Sequence, residues 1–155
     1  MSARQPLPGR AGAWPGVIEA YRPYLPVSAR TPVITLLEGN TPLIHSPALS
    51  QRVGRRCRVY LKYEGSNPTG SFKDRGMTVM VSYLKSCGID HVLEDSSGNA
   101  GASLSAYAAA AGMRCRILVP ETASYPKIAQ IAACGADVVT IRGSRQDVAD
   151  AAMRG

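Results

Sequence analysis

Aromatic residues are scarce in this sequence: among 155 residues there are one Trp, one Phe and seven Tyr. The only basic cluster, residues 52–58, has no aromatic interleaved with it. A nucleic-acid partner is therefore not expected. The formal net charge of +7 fits an attraction for phosphorylated or carboxylated small molecules equally well. Four cysteines, Cys57, Cys87, Cys115 and Cys134, lie far apart with no CxxC or CxxH pair, which argues against zinc. Cys57 and Cys115 fall in apolar runs and are expected to be small core residues, a usage that suits a reducing, cytoplasmic setting. No apolar run approaches the roughly 18 residues of a membrane span. The N-terminus has no apolar signal core. Neither GxGxxG nor GxxxxGK[ST] occurs, which argues against a nucleotide-binding domain.

What is present is enough for one domain with a real core, at 45% hydrophobic and 19% charged residues. Residues 1–16 are rich in Pro, Gly, Arg and Ala without periodicity, and read as a disordered tail. A short helix is expected over 17–24, an extended segment over 32–37, a turn over 38–42, an extended stretch at 43–45 and a short helix over 47–52. Beyond residue 55 the chain becomes regular. Strands are expected at 57–62, 91–94, 115–119 and 137–141. Helices should follow over 71–87, from 99 to near 112, over 125–134, and from Ser144 to the last residues. Gly88 and Gly135 serve as C-terminal stops. Four strand–helix units with short loops predict an α/β fold: a parallel sheet of about four strands with helices on both faces.

Two strand-to-helix turns carry the chemistry. In Asn67-Pro68-Thr69-Gly70-Ser71-Phe72-Lys73-Asp74-Arg75-Gly76 the first four residues favour a turn, and Ser71 is an N-cap candidate. Lys73 then sits in the first helical turn, where the helix field opposes a cation by about 0.3–1 kcal/mol. That field favours a neutral amine, the form a Schiff-base lysine uses. The alternative is a solvated lysine whose stem covers apolar surface. In Ser96-Ser97-Gly98-Asn99-Ala100-Gly101, backbone N–H groups at the helix start form an anion cradle, unless Ser97 and Asn99 merely cap the helix. Ligands bind outside the carboxyl ends of parallel strands, so both turns should face one mouth.

These two strings and Glu38-Gly39-Asn40-Thr41-Pro42-Leu43 occur in the order and at the intervals of the fold-type II pyridoxal-phosphate enzymes. Among these the chain most resembles the threonine synthases, over residues 16–155 and including Pro126-Lys127. Phe72 before the lysine and Asp74-Arg75 after it favour that group over cysteine synthases and threonine dehydratases. The resemblance implies a smaller α/β domain over 55–155 and an N-terminal segment, 17–54, belonging to a larger domain that is incomplete here.

It further implies pyridoxal 5'-phosphate held by Lys73, whose freed amine is the natural general base. Phe72 would pack near the cofactor, and Asn99 would meet its phenolic oxygen. Ser96, Ser97, Gly98 and Ala100 would receive the amino-acid carboxylate. Thr41 would border the site, and Lys62 would meet a substrate phosphate. Glu94 and Asp95 stand oddly near an anion site, and would oppose an anion there unless they pair with a basic group such as Arg75 or Arg116. The implied reaction converts O-phospho-L-homoserine and water to L-threonine and phosphate, in a cytoplasmic protein that is a homodimer at full length. The alternatives are a threonine dehydratase or another β-eliminating enzyme, or a non-catalytic remnant needing a partner chain. The loop for the cofactor phosphate is not found within these residues. The chain is therefore expected to be truncated, to bind the cofactor poorly and to be inactive alone.

Overall fold

The computed structural model describes residues 13–54 and 56–154. Most of the tail expected over 1–16 lies outside these residues. The chain runs α1 (Val17–Tyr21), a 3-10 turn (Arg22–Tyr24), β1 (Leu43–His45), α2 (Pro47–Val53), β2 (Tyr60–Lys62), a second 3-10 turn (Glu64–Ser66), and α3 (Lys73–Ser86). Then follow β3 (His91–Glu94), α4 (Asn99–Ala110), β4 (Arg114–Pro120), α5 (Tyr125–Ala133), β5 (Asp137–Ile141) and α6 (Arg145–Arg154). No helix among the described residues is long and apolar enough to cross a membrane.

The architecture is α/β with a parallel sheet ordered β3-β4-β5. It has three strands, not the expected four. The first expected strand is shortened to Tyr60–Lys62 and pairs antiparallel with Leu43–His45 in a separate ribbon. A parallel strand needs both faces covered, whereas Tyr60, Leu61 and Lys62 are all exposed. Cys57 is likewise exposed rather than in the core, because it precedes the shortened strand.

Alternation on β4 divides the core. Cys115, Ile117 and Val119 join Val81, Leu104, Tyr107, Ala108 and Ile131 in one buried cluster on the α4 side. Leu118 points the other way, and α6 packs on β4 and β5, with Val148 fully buried outside that cluster. Helices thus cover both faces. Each fully buried side chain of this size contributes about 1.5–3 kcal/mol relative to exposure. Alanine and serine dominate α4 and let it lie close against both α3 and the sheet.

Among the described residues the extended segment expected at 32–37 finds no strand partner. Its backbone bonds to α3 side chains instead: Ile34 N donates to Ser82 Oγ at 2.9 Å, and Thr78 Oγ1 donates to Ile34 O at 2.7 Å. Glu38, fully buried, ties this segment to α4 by accepting from Tyr107 Oη at 2.7 Å.

Candidate active site

The turn before α3 is held from both sides. Gly70 adopts φ +83°, which only glycine takes up without strain, and its N–H closes the turn onto Asn67 O at 2.8 Å. Asn67 is buried, and its side chain accepts from Gly39 N and donates to Glu64. Asp74, fully buried, accepts from Thr69 N (2.8 Å), Thr69 Oγ1 (2.5 Å) and Ser103 Oγ (2.6 Å). The last bond stitches the turn to α4. Ser71 Oγ accepts from Lys73 N at 3.3 Å, so it serves the helix start although the helix begins two residues later.

The pins leave Lys73 exposed, next to the exposed Phe72. Its amine has no hydrogen bond or ion pair among the described residues, and lies 5.2 Å from the centroid of the Phe72 ring. Phe72 is 57% exposed, an apolar ring standing beside that amine.

The second turn joins β3 to α4. Among the described residues no side chain caps α4, so its first-turn N–H groups are left for a ligand or water. That removes the alternative in which Ser97 or Asn99 acts as the cap. Ser96 Oγ instead accepts from Gly98 N within the turn, at 3.3 Å. The backbone folds back so closely that a Cβ on Gly101 would lie 2.0 Å from Ser96 O. Around Gly98 the nearest atom to such a Cβ is 3.7 Å away, which leaves room.

Lys73 lies within electrostatic reach of Glu94, the last residue of β3. Burial raises the pKa of Glu94, and Asp95 adds to the rise; Lys73 and Arg145 pull it back. Asp95 pairs with Arg145 at 2.5 Å, and that hydrogen bond holds its carboxyl below the usual range. A basic group does meet Asp95, but neither of the two named as examples: Arg75 pairs with Glu64 and Arg116 with Asp137. Arg145 lies fifty residues beyond Asp95 on α6, a distance no local pattern spans.

A bracket crosses from one turn to the other through α5. Lys127 Nζ donates to Asn99 Oδ1 at 2.8 Å and to Gln130 Oε1 at 3.2 Å. Gln130 Nε2 donates in turn to Thr69 O at 3.1 Å. Neither side chain was assigned a role from sequence, although Lys127 lies within the matching Pro126-Lys127 pair.

Thr41 and Lys62 stand in a different cluster. Thr41 is buried; its hydroxyl donates to Glu64 Oε1 at 2.8 Å and accepts from Arg75 Nη2 at 3.1 Å. Lys62 Nζ donates to Thr41 O. Among the described residues no hydrogen bond joins either of them to Lys73 or to residues 96–100. Arg75 grips Glu64 through two nitrogens, at 2.8 and 2.9 Å. Chiefly through those bonds, with help from Thr41 and Asn67, the Glu64 carboxyl falls from 4.5 to about 2.

A folded value below the unfolded one means the unfolded chain binds more protons as acid is added. The stabilisation is therefore present above pH about 4.5 and lost as pH falls toward about 2. Urea midpoints measured across that window should fall by the equivalent of about 1 kcal/mol after solvent screening. Glu64→Gln should flatten that part of the profile; an unchanged acid limb in the variant would remove Glu64 as its source.

A broad hollow lined by His91, Leu93, Arg114, Arg116 and Asp137 opens at the amino ends of β3–β5. It lies at the opposite end of the strands from the two turns and holds none of the candidate residues.

Residues 34–154 match the family described as pyridoxal-phosphate dependent enzyme. A threonine synthase of Synechocystis sp. is 51% identical over 135 residues, which cover 86% of this chain and 35% of that protein. A threonine synthase of Mycobacterium leprae is 48% identical over 142 residues, covering 91% of this chain and 39% of the relative. The chain thus spans between a third and two fifths of the length of these relatives. Among solved structures, a hydrogen sulfide-producing enzyme from Fusobacterium nucleatum superposes with TM-score 0.69 at 25% identity, over 94% of this chain and 43% of that one. Threonine deaminase isoform 2 from Solanum lycopersicum gives TM-score 0.67 at 29% identity, over 74% of this chain and 31% of that one.

Proposed function

Because the chain belongs to the family of pyridoxal-phosphate dependent enzymes, we propose that it carries the cofactor lysine and carboxylate loop of a threonine synthase-like lyase. That enzyme would convert O-phospho-L-homoserine and water to L-threonine and phosphate. The observation that carries the reading is Lys73. Its amine is unpaired among the described residues and stands beside an exposed aromatic ring, at the start of the helix that Asp74 ties to α4 through Ser103.

The donor set fits the cofactor. Lys73 offers a primary amine to its aldehyde, and Asn99 an amide to its phenolic oxygen. Ser96, Ser97, Gly98 and Ala100 offer hydroxyls and the N–H groups of an uncapped helix start to a substrate carboxylate. When bound, pyridoxal phosphate supplies an electron sink for negative charge at the substrate α carbon. The protein's share is positional. Lys73, freed from the cofactor, takes and returns protons at Cα and Cβ. Phe72 shields one side of the site from water. The α4 amides hold the carboxylate and so fix which bond to Cα faces the lysine. Lys62 meets a substrate phosphate, and Thr41 reaches the substrate, only by giving up the bonds they make now.

The substrate is then a small amino acid, and the cytoplasmic setting and full-length homodimer belong to the same reading. The relatives named threonine synthase at 46–51% identity support phosphohomoserine over the threonine substrate of the deaminase neighbour, at 29%.

The test is chemical trapping. The protein is incubated with pyridoxal phosphate, reduced with borohydride, digested and mapped by mass spectrometry. The adduct is expected on Lys73; recovery on Lys62 or Lys127 alone, or none, would sink the reading. Product analysis then separates the substrates. This chain, at a third to two fifths of its relatives' length, is proposed to be inactive alone; with the remaining length supplied, threonine and phosphate from O-phosphohomoserine are expected, whereas a 2-oxo acid from threonine or serine assigns the site to elimination.

A further inference from the structure

Resting on Asn99 as the partner of the phenolic oxygen, we infer that Lys127 is a positioning residue. It fixes the Asn99 amide so that the NH2 group, and not the oxygen, is presented to the ligand. The warrant is donor chemistry. A lysine ammonium only donates, and Lys127 Nζ lies 2.8 Å from Asn99 Oδ1. The amide must therefore turn its oxygen to Lys127 and leave both Nδ2 protons on the other side.

Asn99 is the first residue of α4, it is exposed, and it makes no capping bond. Without Lys127 either end of its amide could face the mouth. Only the NH2 end can donate to an oxygen anion. The positive charge of the Lys127 ammonium at the amide oxygen also polarises the group and strengthens that donation.

Lys127 is itself held in place. It is half-buried in the first turn of α5, directly behind Pro126. Its second bond goes to Gln130, which reaches Thr69 O in the turn leading to Lys73. One helix thus sets the amide at one turn and clamps the backbone at the other. The spacing between amine and amide is fixed by α5 rather than by either turn alone.

The test uses Lys127→Met, which keeps the stem and removes the donors, and Lys127→Arg, which keeps donors. In 15N-labelled protein without cofactor, the side-chain amide resonances of Asn99 should move in the Met variant and stay near the wild-type position in the Arg variant. Uptake of pyridoxal phosphate, followed by the absorbance of the bound cofactor, should weaken about tenfold in the Met variant, as for loss of one charge-assisted hydrogen bond. The Arg variant should recover most of that loss. Unmoved Asn99 resonances in Lys127→Met overturn the inference, as does unchanged uptake with the adduct still on Lys73. A wild-type protein that takes up no cofactor overturns the function reading instead, while the amide resonances still decide the role of Lys127.

Discussion

Glu38→Ala should lower the unfolding free energy by about 4 kcal/mol, read as a shift in the urea midpoint at constant slope. Glu38 is fully buried. It accepts from Val17 N (3.0 Å), Thr35 Oγ1 (3.0 Å), Leu36 N (3.1 Å) and Tyr107 Oη (2.7 Å). A carboxylate has about four acceptor sites; three donors converge on Oε2 and one, Val17 N, meets Oε1. Truncation leaves at least two backbone N–H groups and a buried phenol unpaired, each costing about 1–3 kcal/mol.

The backbone around Glu38 adds to the cost. Leu37 sits at φ +64° and Asn40 at φ +47°. A bulky residue in that region is strained by about 1–2 kcal/mol, and persists only where neighbouring bonds over-determine it. Gly39, at φ +93°, passes under Trp14 so closely that a Cβ would lie 2.8 Å from the indole. Trp14 Nε1 also donates to Glu38 O at 2.7 Å.

Tyr107→Phe is the control. It removes one donor and leaves the other three, so its cost should be about 1–2 kcal/mol. Burial first, and Glu38 second, push the Tyr107 hydroxyl above its ordinary pKa, so it stays protonated and donating. In a double-mutant cycle the two substitutions should be strongly non-additive. Additive losses would mean that Glu38 and Tyr107 do not share one bond.

The regular elements were legible because their signals are local. β3 at 91–94 and β5 at 137–141 coincide with the expected strands, and α5 ends one residue short of expectation, before Gly135 at φ +80°. Period-two and 3.6-residue patterns, with glycine stops, carry that information within a few residues.

What could not be read is whatever depends on a distant partner. Residues 57–62 have the composition of a core strand, yet where a strand pairs is decided by the segment that reaches it, here Leu43–His45. Segment 32–37 looks extended, and is, but its backbone is satisfied by Thr78 and Ser82 across a helix. At the site, Lys73, Phe72 and the 96–100 turn were marked by motif. Lys127, Gln130 and Arg145 were not, since each acts on a partner group 28 to 61 residues away, for Gln130 a backbone carbonyl. Asp74 lay inside the motif, but its role as a buried anchor follows only from Ser103.

Asp74→Ala should therefore cost about 3 kcal/mol and release the turn that bears Lys73. One carboxylate oxygen accepts from both hydroxyls, of Thr69 and Ser103, and the other accepts from Thr69 N. Alanine leaves that N–H without its acceptor and cuts the tie between the turn and α4. Asp74→Asn should be milder, at about 1 kcal/mol. Its amide oxygen can take the Thr69 N–H, while the two hydroxyls rotate to accept from the NH2 group. The reverse orientation would set NH2 against N–H, so only one flip of the asparagine is tolerated. Amide hydrogen exchange over 67–73 separates global from local loss. In Asp74→Ala these amides should exchange faster than the buried strand β4, whose protection tracks global stability. Equal acceleration at both places would show that Asp74 supports the whole fold rather than the lysine turn. Equal costs for Ala and Asn would show that the hydroxyls cannot reorient.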